Sequence, residues 1–173
     1  RSVGAATEYT GDTRYRVGDS ESVRAWFAET TVKMTRKRRP PRQVRRGIRV
    51  TAAANESQAF QLVLTPTSAT TLDSVTLSAV TGSGRTISMR TAEVNLVEYV
   101  PIRTGSFITP ARVGGDVGDP LLPLDRPVKL DPLDGNRAVW ITLHVPAGTP
   151  AGIYKGTLRV AFEDEGLDVP FEL

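Results

Sequence analysis

Residues 138–162 read AVWITLHVPAGTPAGIYKGTLRVAF, two alternating runs flanking a connection of Pro, Ala, Gly and Thr. Val139, Ile141, Leu143 and Val145 fall on one face of the first run, with Ala138, Trp140, Thr142 and His144 on the other, the period-2 signature of a half-buried strand. Pro146 to Gly152 cannot continue a ladder, because proline lacks the N–H and glycine frees the backbone for reversal. Tyr154, Leu158, Val160 and Phe162 then share a face, opposite Lys155, Thr157 and Arg159. The pattern predicts an antiparallel hairpin.

Outward from this stretch the same period recurs. Val23–Ala28 alternates, with Trp26 opposite Val23, Ala25 and Phe27, and is expected to run on to about Met34. Asn55-Glu56 makes a corner before Ser57–Leu64, where Phe60, Leu62 and Leu64 line one face and Pro66 ends the strand. Further strands are predicted over Leu72–Val80, Val94–Ile102 and Gly166–Leu173, with a reversal at Gly82-Ser83-Gly84. No helix-period stripe of any length and no internal repeat occur. The expected fold is all-β, an antiparallel two-sheet β-sandwich of immunoglobulin-like or jelly-roll-like type with no substantial helix.

The chain's 173 residues suit one cored domain. Residues 1–22 are expected to form an N-terminal arm or short edge strands, and 23–173 the sandwich. Residues 104–136 lose all period and collect Gly, Pro and Asp, so they are expected to be irregular and to form a contact surface. The first residue is Arg1, and the alternating run to Leu173 stops without a polar tail, so the chain is expected to have been cut from a longer one. No apolar run reaches the length needed to span a bilayer, so no membrane insertion is expected.

Charge is concentrated in one place. Residues 33–49 hold 9 of the 22 basic residues and no acid, which leaves 13 basic against 19 acidic residues elsewhere. Pro40 and Pro41 make this stretch a loop. Arg36, Lys37, Arg38, Arg39 and Arg42 are candidate contacts to an anionic partner, a glycan or another polyanion. Nucleic acid is disfavoured because no aromatic residue is interleaved for base stacking.

Little else suggests chemistry. With no cysteine and one histidine, His144, a typical zinc site is excluded, and no cofactor is expected. Asp116, Asp119, Asp125, Asp131 and Asp134 lack calcium-loop spacing and read as turn residues. Trp26 and Trp140 are candidate sugar-stacking platforms, weighed against a core or interface role for the same amphipathic rings.

Read in order, Ala25-Trp26-Phe27-Ala28-Glu29, the run from Asn55 to Leu64 (NESQAFQLVL), Glu98-Tyr99-Val100-Pro101, the run from Asp119 to Leu124 (DPLLPL) and residues 138–162 resemble the N-terminal β-sandwich domain of glycoside hydrolase family 123 and its uncharacterised bacterial relatives. The resemblance implies a bacterial, exported protein in which this sandwich precedes a (β/α)8 barrel. Catalysis then belongs to the barrel, which in family members removes terminal N-acetylgalactosamine with an adjacent Asp-Glu pair. Asp164-Glu165 matches that dipeptide only by letter and lies in an acidic turn, so no catalytic residue is assigned. Tyr99, Asp119, Pro120, Leu121 and Leu122 become candidate contacts to the barrel. The expected function is a non-catalytic support for that domain, with a carbohydrate-binding module as the alternative and polyanion binding through 33–49 as a weaker one.

Overall fold

The computed structural model describes residues 13–102 and 115–173. Thirteen strands run through them: β1 (Arg14–Asp19), β2 (Val23–Ala28), β3 (Ile48–Arg49), β4 (Ser57–Pro66), β5 (Thr70–Leu77), β6 (Val80–Gly82), β7 (Arg85–Ile87), β8 (Glu93–Ile102), β9 (Gly115–Pro123), β10 (Val128–Leu130), β11 (Arg137–His144), β12 (Lys155–Phe162) and β13 (Gly166–Glu172). No helix occurs among the described residues. One sheet has the order β1-β2-β4-β11-β8-β9; the other has β10-β5-β12-β13-β3, with the β6–β7 hairpin attached to β12. Pairing is antiparallel except between β13 and β3. The chain is an all-β sandwich, as its alternation predicts.

The two strands of residues 138–162 do not pair with each other. β11 lies between β4 and β8 in the first sheet, whereas β12 lies between β5 and β13 in the second. Alternation shows that each strand has one apolar face, and two such faces meet equally well across a sandwich as within one sheet. The connection is a crossover pinned to both sheets. Val145 N–H donates to Glu56 O at 2.8 Å on one side, and Tyr154 N–H donates to Leu173 O at 2.7 Å on the other.

Two other expectations need correction. β2 stops at Ala28, where Val32 N–H donates back to Glu29 O and turns the chain. Residues 104–136 are not wholly irregular, since they contain β9 and β10; the part from 103 to 114 lies outside the described residues. Pro120 and Pro123 are tolerated in β9 because it is the edge of its sheet, where a missing N–H costs no ladder bond. Toward the N-terminus β1 is an edge strand paired with β2, one of the two forms expected for residues 1–22; residues 1–12 lie outside the described residues.

The main core fills the space between the sheets. Phe60, Leu62, Leu64, Val139, Ile141 and Leu143 from the first sheet meet Leu72, Leu158, Val160, Val169 and Phe171 from the second. Four rings cross it in a row, Tyr15 to Phe27 at 4.8 Å, then Phe60 and Phe171 at 5.9 Å steps. A row of aromatics spanning both sheets fixes how far apart they sit.

Glu165, in the β12–β13 turn, latches the two sheets at one end. Its carboxylate accepts from Ser20 Oγ at 2.9 Å and from the N–H groups of Glu21 and Ser22 at 2.8 and 3.0 Å, all in the β1–β2 turn. Slight burial pushes its pKa up, but these donors outweigh that and hold it below the ordinary value. A carboxyl more acidic folded than unfolded stabilises fully above its unfolded pKa of about 4.3 and loses that contribution as pH falls through the lower folded value. Denaturant midpoints of the wild type and Glu165→Gln should therefore differ most at neutral pH and converge on acidification. A difference constant from pH 7 to pH 3 would exclude the latch.

Candidate functional site

The outer face of the first sheet is apolar too, and the basic segment covers part of it. Cross-strand neighbours Trp26, Val63, Ala138 and Val97 form a second buried cluster with Ala28 and Met34, and Val32 and Trp140 pack against it. Val32 and Met34 come from the segment between β2 and β3. Long and heavily charged, that segment is nonetheless held in place.

Two buried amides hold it. Gln61, on the outer side of β4, donates from Nε2 to Glu29 O and Val32 O, both at 2.9 Å. Asn136, just before β11, donates from Nδ2 to Thr35 O at 3.1 Å and Arg38 O at 2.6 Å, while its own N–H donates to Arg36 O. Thr65 Oγ1 donates to Asn136 Oδ1 at 2.6 Å and accepts from Trp26 Nε1 at 3.0 Å. Gln61 and Asn136 are the buried polar residues among those described. Gly135 before Asn136 has φ +76°, and a Cβ there would collide with Arg36 O, so the segment rests directly on this turn.

Further along, residues 43–45 run parallel to β1 through the Arg16–Val44 bridge, with Arg45 N–H donating to Arg16 O at 2.9 Å. The chain then bends at Arg46 and Gly47 and joins the second sheet as β3. It is a strap that runs along β1, the edge of the first sheet, and closes the second sheet by adding β3 beside β13.

The predicted anion contacts are now separated by their surroundings. Arg36 is engaged: its guanidinium stacks 4.3 Å from the Tyr99 ring centroid and its Nε donates to Asp116 Oδ2 at 3.1 Å. Lys37 lines an open groove with Arg36, Asp116 and Asp134, so two carboxylates offset two cations. Arg38 is half-buried; Arg39 and Arg42 are exposed. A different group gathers at the strap's far end, where Tyr15, Arg45, Arg46, Ile48, Arg49, Pro170 and Glu172 line a cleft of about 370 Å³. In sequence Arg45, Arg46 and Arg49 are three of the nine cations of residues 33–49; the bend at Arg46 and Gly47 brings them together.

Trp26 is fully buried and offers no face to a sugar, which corrects its assignment as a platform. Trp140 is partly exposed and lines a cleft of about 190 Å³ with Lys33, Gln61, Val97, Asp119 and Leu121. Among the candidate domain contacts, Asp119, Pro120, Leu121 and Leu122 are exposed on edge strand β9, Leu121 and Leu122 by 42% and 49%. Tyr99 is half-buried under Arg36; burial pushes its hydroxyl up to about 12 against the opposing pull of Arg36 and Arg137. Asp131 caps a turn by accepting from Leu133 N–H at 2.8 Å, and His144 is exposed beside Ser57 Oγ at 3.1 Å. Among the described residues no three His, Cys, Asp or Glu side chains are grouped so as to hold a metal.

The sequence profile of the Glycoside hydrolase 123 N-terminal domain matches residues 27–162. Among solved structures, a family 123 glycoside hydrolase from Clostridium perfringens, described in connection with glycolipid glycan hydrolysis, is similar at TM-score 0.69 and 13% identity. That likeness covers 87% of this chain and 27% of the clostridial chain, and it supports the fold alone. The GAE domain of GGA2p from Saccharomyces cerevisiae aligns over 92% of this chain and 95% of its own, but at TM-score 0.28 and 9% identity it carries no argument. No curated protein matches the chain.

The amide clamp makes the strap's order testable by trypsin. Asn136→Ala leaves two strap carbonyls and the Thr65 hydroxyl without their partner, a loss of about 3 kcal/mol. Cleavage after Lys37, Arg38, Arg42, Arg45 and Arg46 should then accelerate about 100-fold where proteolysis follows the open population. Unchanged cleavage rates would mean that the strap is held by something other than Asn136.

Proposed function

The chain belongs to the glycoside hydrolase 123 N-terminal domain family, and from that premise we propose that it is a non-catalytic sandwich which packs on and supports a separate (β/α)8 catalytic domain of the same polypeptide. The observation that carries this reading is the family match itself, to a domain defined as N-terminal within a glycoside hydrolase. The chain also spans only about a quarter of the clostridial enzyme to which it is similar. Its parent is then a glycosidase, and the N-acetylgalactosamine chemistry of the family is the substrate to test first.

The docking surface of this reading is the β9 edge of the first sheet with the adjoining part of β8. Val100, Leu121 and Leu122 expose 42%, 42% and 49% of their surface there, and Pro120 lies beside them. Apolar side chains on an edge strand invite unwanted pairing unless something covers them. In the parent protein, Leu121→Asp combined with Leu122→Asp should lower the melting temperature and turnover while leaving the melting temperature of the isolated sandwich within a degree or so, as surface changes do. Deletion of the sandwich with no loss of stability or turnover in the parent would overturn the supporting role.

Trp140 favours a second reading, a sugar-binding surface on the outer face. It is partly exposed in a cleft with Lys33, Gln61 and Asp119, an apolar side chain with polar groups beside it. Titration with neutral oligosaccharides should quench its fluorescence saturably, with Trp26 silent in the core. A signal unchanged by Trp140→Phe would remove this reading.

A further inference from the structure

We propose that the cleft between the strap and β13 is an oxyanion-binding site, formed by Arg45, Arg46 and Arg49 and suited to a sulfate or carboxylate group carried on a saccharide. The cations are unevenly matched. Among the described residues Glu172 is the one carboxylate lining this cleft, and it is already taken by Arg49, whose Nε and Nη2 reach Glu172 Oε2 at 2.9 and 2.7 Å. Lys155 also lies 3.8 Å from Glu172. Arg45 and Arg46 have no ion-pair partner among the described residues. The other end of the strap behaves differently, since Arg36 and Lys37 face Asp116 and Asp134.

The site is also preorganised. Arg45 lies with its guanidinium carbon 4.4 Å from the Tyr15 ring centroid, a contact that holds the fork at the mouth of the cleft. Tyr15 is itself packed in the core against Phe27, and its hydroxyl accepts from Arg49 N–H at 3.4 Å. Gly47 sets the bend that turns Arg46 toward the same cleft; a Cβ there would collide with Pro170 O, so strap and β13 are in direct backbone contact. Arg45 and Arg46 line one cleft without an ion-pair partner among the described residues, and an oxyanion accepting from both neutralises them through charge-assisted hydrogen bonds. Pro170, exposed at the rim of the cleft, adds an apolar edge of the kind that packs against a sugar ring.

The test is calorimetric titration of the 173-residue chain with a sulfated disaccharide, the same disaccharide without sulfate, and inorganic sulfate, each at low and physiological salt. Saturable binding of the sulfated sugar, weakened about ten-fold by Arg46→Ala, is expected, the order of one lost charge-assisted contact. Arg42→Ala changes net charge equally at an exposed position outside the cleft and should weaken binding less than about two-fold, as a distant screened charge does. Competition by inorganic sulfate supports the oxyanion site. Tighter binding of the sulfated disaccharide than of sulfate alone supports a saccharide-borne ligand. Binding equal for sulfated and neutral sugars, equal losses from Arg42→Ala and Arg46→Ala, or no saturable binding would each overturn the proposal. None of these outcomes bears on whether the sandwich supports a barrel, because that is read in the parent protein.

Discussion

Asn136 is the constraint on which the outer half of the molecule depends. Residues 29–47 bring few apolar side chains to the sheet, mainly Val32 and Met34, and they carry a dense row of cations. Burial of two such side chains contributes roughly 3 to 6 kcal/mol at most. Ordering nearly twenty residues of backbone costs about 1 kcal/mol or more each. Hydrophobic cover alone therefore leaves the segment loose. Direct hydrogen bonds from Asn136 and Gln61 to five of its carbonyls, counting the Asn136 main chain, are what add to that cover. Because these amides are buried, their alternative is an unsatisfied donor rather than water, which makes the arrangement close to all-or-none.

The same clamp explains why Trp26 is buried on a face that alternation leaves outside. The indole needs a partner for its N–H, and Thr65 Oγ1 accepts from it while donating its own hydroxyl to Asn136 Oδ1. Trp26, Thr65, Asn136 and the strap carbonyls thus form one chain of hydrogen bonds running from the sheet to the segment above it. Such chains are stiffer than their separate bonds suggest, since each member orients the next. They set the height at which the strap leaves the outer face and turns toward β1.

The sandwich was largely legible in the sequence because its signal is local. Phe60, Leu62 and Leu64 mark an inner face whatever the strand's neighbours are, and β2 and β11 read equally clearly. Pairing was less legible, since β11 and β12 each point an apolar face into one core from opposite sheets. The cover over Trp26 was not legible at all. Nothing in a run of arginines signals that its main-chain carbonyls are the groups being bound, and Asn136 in an Asp-Gly-Asn turn reads as ordinary turn chemistry. Strand β9 hid for a related reason, because its prolines are allowed only by its place at the sheet edge.

The segment's charge and its path account for each other. A strap that runs along β1 and then adds β3 beside β13 occupies one edge of each sheet, the positions where strand addition would otherwise begin. Cations there keep other strands away without needing partners of their own. At the Asp116 end, where the strap crosses the sheet face and meets β9, the charges are matched and the arginine is pinned against Tyr99. At the Glu172 end they are left in excess. Edge protection alone would be served by lysines scattered along a mobile chain, with no need for a guanidinium fixed on a buried tyrosine or a glycine pressed against Pro170. Fixed placement of Arg45, without an ion-pair partner among the described residues, is what a binding site requires and an edge guard does not.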